Sequence, residues 1–102
     1  VKGVHRKDKE AADLLNLKPG EYCHRPGDGW YACTPNGHLA NLGGHDCTYD
    51  KESDTLTVAP SIICGDFLPP HTAKRDPAYE AQAIAEGRAY HGYLEAGDWR
   101  AC

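Results

Sequence analysis

The side chains best equipped for chemistry in this sequence are thiols and imidazoles. Cysteines stand at positions 23, 33, 47, 64 and 102, among six histidines. The two types keep close company: Cys23 adjoins His24, Cys33 shortly precedes His38, and His45 shortly precedes Cys47. Thiolate and imidazole together suit zinc, a borderline-soft ion that favours tetrahedral nitrogen and sulfur sites. Between Cys33 and His38 lies Thr34-Pro35-Asn36-Gly37, a strong turn signal that would bring the two side chains together as one ligand pair. Cys23 and His24 are neighbours whose side chains diverge on extended chain, so they do not serve as a pair. Two plainer readings stand beside zinc. Cysteines are often small buried hydrophobes, and some could pair as disulfides, although an odd number leaves one over. Disulfide scaffolds usually exceed about 8–10% Cys, well above this chain. No CxxC pair, P-loop, GxGxxG, HExxH or GxSxG motif is present.

The elements that must position these groups are short. Arg6 to Leu17 reads as an amphipathic helix with Ala11, Leu14 and Leu15 on one face, ended by Pro19-Gly20. Glu21 to Gly29 reads as turn, because Arg25-Pro26-Gly27-Asp28-Gly29 fills its second half. Trp30-Tyr31-Ala32-Cys33 is a strand running into the Cys33–His38 turn. Cys47-Thr48-Tyr49 and Thr55-Leu56-Thr57-Val58 flank a polar loop and predict a β-hairpin. Pro60 is expected to end that pairing or confine it to an edge, after which Ser61-Ile62-Ile63-Cys64 resumes as a strand. Asp76 as N-cap, Pro77 at the first helical position and Gly87 beyond the end predict a helix over 77–86. Ala89–Leu94 and Asp98–Cys102 flank Glu95-Ala96-Gly97 as a second hairpin. The expectation is a small α+β domain, β-rich, with one or two short helices and a zinc staple. It divides into a helical N-terminal arm over 1–20 and a β-rich core over 21–102.

Composition narrows the function classes. With 102 residues, 40% hydrophobic, no Met, 11 Gly and 7 Pro, the chain buries a modest core and fits one domain. Small cores of this kind are often held by metals or disulfides. The net charge of -4, and a basic cluster His5-Arg6-Lys7 broken by Asp8 and Glu10, argue against nucleic-acid binding, which needs several neutralised phosphates. No apolar run approaches the ~20 residues of a membrane span. No signal-peptide core is visible near Val1, so a cytoplasmic location with reduced thiols is the expectation. Trp30, Tyr31, Tyr90, Tyr93 and Trp99 make an aromatic inventory suited to core packing or, if exposed, to a protein-binding face.

Three segments carry a resemblance. They are Trp30 to His38, then Thr55-Leu56-Thr57-Val58-Ala59-Pro60-Ser61-Ile62, then His91-Gly92-Tyr93-Leu94-Glu95-Ala96-Gly97-Asp98-Trp99. Over about its last two thirds the chain resembles a family of small uncharacterised bacterial and bacteriophage proteins with Cys and His at zinc-binding positions. That resemblance implies a β-rich zinc fold and a phage or prophage origin. The chain departs from it at His38 and Tyr90, where the family often carries Cys. The preferred metal set is Cys33, His38, Cys64 and His91, with His45 or Cys47 as substitutes. Four protein ligands would close the tetrahedron around a structural zinc. The expected function is a zinc-stabilised interaction or accessory module with a protein partner. The alternative is a small hydrolase using zinc-activated water, with Glu21, Asp46 or Asp66 as base. A variant of it uses a Cys64 or Cys47 thiol activated by His91 or His45.

Overall fold

The computed structural model describes residues 1–102 and contains two four-stranded sheets and two short helices. The first sheet holds β1 (Val4–His5), β2 (Glu21–Arg25), β3 (Gly29–Cys33) and β4 (Leu39–Asn41), in that order. The second holds β5 (Asp46–Asp50), β6 (Thr55–Gly65), β7 (Ala89–Glu95) and β8 (Asp98–Ala101). All neighbours are antiparallel except β1 and β2, which pair in parallel with Val4 opposite Glu21. No helix is long and apolar enough to cross a membrane. The α+β class expected from the sequence is therefore what the chain adopts.

Alternation along the strands decides which residues meet. Tyr22, Ala32 and Ala40 are register partners, so they share one face of the first sheet. With Leu42 they meet Leu56, Val58, Ile62, Tyr90, Leu94 and Trp99 from the second sheet in the main core. Cys23 and Tyr31 are also register partners and point the other way, where they pack with Ala11 under α1 (Lys9–Leu14). The second helix, α2 (Pro77–Ala85), packs beside β7 and buries Ala83.

Several elements differ from the sequence expectation for identifiable reasons. The first helix is shorter than Arg6–Leu17. Asp8 caps it by accepting from the Ala11 amide, and Leu15 ends it in a left-handed conformation at φ 49°. Glu21–Arg25 is a strand, not turn, because Tyr22 to Arg25 pair with Ala32 to Gly29 across a hairpin whose bend is only the Pro26–Asp28 stretch. Pro60 ends the β5–β6 pairing as expected, the last register pair being Asp46 with Ala59, while β6 itself runs on to Gly65 beside β7. The β6–β7 register shifts between Val58 and Ile62, and the Ala59–Pro60 bond within that stretch is cis. The helix at 77–85 forms as expected, with the Asp76 carboxylate accepting from the Ala78 and Tyr79 amides.

Residues before α1 do more than form an arm. The Gly3 amide donates to the Gly97 carbonyl at 2.7 Å, Val4 donates to Gly20 at 3.2 Å and Arg6 to Tyr22 at 2.8 Å. Lys2 bridges to Asp98, and the Trp99 amide donates to the Val1 carbonyl at 2.7 Å. The segment 1–6 thus stitches β8 of the second sheet to β2 of the first.

Candidate functional site

An open cleft of about 340 Å³ lies along this seam. One wall is the extended segment Lys2 to His5. The other is Ser53-Asp54-Thr55 from the β5–β6 turn together with Ala96-Gly97 from the β7–β8 turn, and Tyr22 lies at the base. His5 is the side chain that faces the opposite wall. Its Nδ1 lies 2.7 Å from Asp54 Oδ1. An ionised carboxylate only accepts, so Nδ1 carries the proton and donates. Lys7 Nζ holds Asp54 Oδ2 at 2.7 Å, and the Tyr49 hydroxyl donates to Oδ1. His5, with only 11% of its side chain exposed, also sits among rings. It stacks on Tyr22 at 5.5 Å and 8°, and meets Trp30 at 5.3 Å and Tyr49 at 5.4 Å. Trp30 in turn contacts Tyr49 at 5.4 Å and the exposed His24 at 5.1 Å.

The electrostatics follow from these contacts. Hydrogen bonds from His5, Lys7 and Tyr49, the first being the largest influence, hold the Asp54 carboxyl well below the usual carboxylate range. The same contact pushes the Tyr49 phenol up, because losing its proton would cost the bond to Asp54. Burial raises the Tyr22 phenol. Asp54 itself takes a left-handed conformation at φ 56°, which Asp tolerates better than most residues.

Of the expected zinc set, Cys33 and Cys64 lie near each other, whereas His38 and His91 are directed at other partners. Cys33 shares the face of Tyr31 by strand alternation. Cys64 is the register partner of Tyr90 and packs against the main core. His91 is the partner of Ile63, one position on, so it points out of the opposite face of that sheet. There its Nε2 lies 3.0 Å from Ser61 Oγ. His38 reaches the Gly87 carbonyl at 2.9 Å. The turn between Cys33 and His38 closes through its own hydrogen bonds. Thr34 N donates to His38 O, Gly37 N to Thr34 O, and His38 N to Thr34 Oγ1.

The substitutes fare no better. His45 lies with one ring nitrogen 3.2 Å from the Ser61 carbonyl, and the Cys47 thiol is directed at the Leu42 carbonyl. No group of three or more His, Cys, Asp or Glu side chains is arranged to hold a metal ion. The donor set is therefore a poor fit for tetrahedral zinc. The thiol–imidazole pairing of Cys64 with His91 is ruled out by the same opposed faces. Burial also pushes the Cys64 thiol up to about 11, away from nucleophilic thiolate.

No family model, curated protein or solved structure matches the chain. From the sequence, His5 stands out only in a broken basic cluster, His24 only beside Cys23, and Trp30 only in the aromatic inventory. His5 and Asp54 are 49 positions apart, and nothing local announces their meeting.

Proposed function

We propose that the chain is a binding module that recognises a protein partner through the rings at the seam, without performing catalysis of its own. The observation that supports this most is the run His24, Trp30, Tyr49 and His5. It forms a continuous, partly exposed aromatic surface beside the molecule's cleft. Rigid aromatic rings contribute large contact area at little entropic cost and dominate binding hot spots. The rings are also held in place before any partner arrives. Asp54 fixes His5 and Tyr49 at once, which reduces the ordering cost of association. The reading does not call on a zinc staple, since His38 and His91 are directed at the Gly87 carbonyl and the Ser61 hydroxyl. An accessory role remains in keeping with the resemblance to small bacterial and bacteriophage proteins.

The test compares capture from a bacterial extract by the immobilised protein and by a Tyr49→Ala, His24→Ala variant, with Tyr93→Ala on another surface as control. A partner held by the wild type and control should be lost from the double variant. Reconstituted with purified partner, affinity should fall by roughly thirtyfold or more if these rings are a hot spot. Equal capture by all three proteins would remove the ring surface from the account.

A further inference from the structure

We propose that the partner contributes a basic, extended segment that adds as a strand to the free edge of β5; this rests on the reading of the ring surface as a binding face. Each sheet has two edges, and three of the four are guarded. β1 is only two residues long and is stitched to the second sheet. The β8 edge carries Lys2. β4 has only three residues. The fourth edge, β5, runs for five residues, and none of these makes a main-chain hydrogen bond outside its ladder with β6. No Lys, Pro or bulge interrupts Asp46-Cys47-Thr48-Tyr49-Asp50, and the only charges it carries are the two aspartates. Such an edge presents unpaired amides and carbonyls to an incoming strand.

Charge selects the occupant. Asp46, Thr48 and Asp50 alternate onto one face and are exposed. Neither aspartate takes part in an ion pair, unlike Asp54. A second copy of this chain added antiparallel to β5 would set Asp46 against Asp50, like charge against like, which disfavours self-pairing. A strand with Lys or Arg at alternate positions would meet both carboxylates. Its intervening side chains would fall on the side of Tyr49, which joins the edge to the ring surface.

The probe is a short capped peptide of alternating lysine and valine, titrated into ¹⁵N-labelled full chain, with a glutamate–valine peptide as counterpart. The expected result is that the basic peptide shifts the Asp46–Asp50 amides and slows their exchange, while the acidic one does neither. Asp46→Asn with Asp50→Asn should weaken that binding several-fold, up to roughly tenfold. Both aspartates are exposed, so folding of the variant is checked by its unchanged core amide shifts. Shifts confined to Trp30 and His24 would overturn strand addition while sparing the ring surface as a binding face. Equal binding of both peptides, or dimerisation of the free protein through β5 in sedimentation, would overturn the choice of a basic partner.

Discussion

Asp54 is where three elements are tied by one carboxylate. It accepts from His5 on β1, from Lys7 just before α1 and from Tyr49 on β5. Its ordinary value in an unfolded chain lies near 4, and the folded value is lower. A depressed carboxylate contributes stability that is present above the unfolded value and disappears as the pH falls through the folded one. We therefore expect Asp54→Asn to melt below the wild type at neutral pH, and the gap in Tm to close progressively as the pH drops below about 4. A gap of constant size down to pH 2 would show that the charge of Asp54 is not what the contacts use. The same sense applies to Asp8, which Arg6 holds down at about 2, so part of any acid transition common to both proteins belongs to that pair.

At the level of elements, the stitching segment depends on Gly3. A β-carbon there would stand 2.9 Å from the Gly97 carbonyl oxygen, 3.0 Å from that of Gly20 and 3.0 Å from the Trp99 indole nitrogen. Two of these are backbone atoms, and the indole is itself committed to the Gly20 carbonyl at 3.0 Å. We expect Gly3→Ala to lower unfolding free energy by about 1–3 kcal/mol, the range for forcing extra volume into a packed site. Urea titration measures it, and an unchanged midpoint would mean that β1 shifts without cost.

Elements with local punctuation were legible in the sequence. Asp76-Pro77 and Gly87 bracket α2, and Glu95-Ala96-Gly97 bends β7 into β8. Elements defined by distant partners were not. β1 is a strand only because Gly20–Tyr22 and Gly97 supply its hydrogen bonds. The site was illegible for the same reason. The Cys33–His38 turn was read correctly as a turn, but hydrogen bonds from Thr34 close it where a metal was expected.

For the molecule as a whole, the question raised by its thiols is whether anything beyond the apolar core holds it together. The core joins both sheets through Tyr22, Leu42, Leu56, Ile62 and Leu94, each no more than 1% exposed. We expect prolonged dialysis of reduced protein against a strong chelator to leave its circular dichroism and Tm unchanged, with zinc well below one per chain before treatment. One zinc per chain and collapse on its removal would require His91 to share the face of Cys64, and so a different strand register.

The stitch across the seam also sets a timetable. The amide of Trp99 bonds to the carbonyl of Val1, and Gly3 to Gly97, so this segment waits for partners far along the chain. Hairpins such as β2–β3 and β5–β6 can close as they leave the ribosome, since their partners are near in sequence. The seam cannot. Until Trp99 clears the exit tunnel, the main chain of the segment carrying His5 is held by its bonds to Gly20 and Tyr22 alone. The seam therefore closes only once β8 has emerged, and a chain stalled short of β8 would display two incomplete sheets.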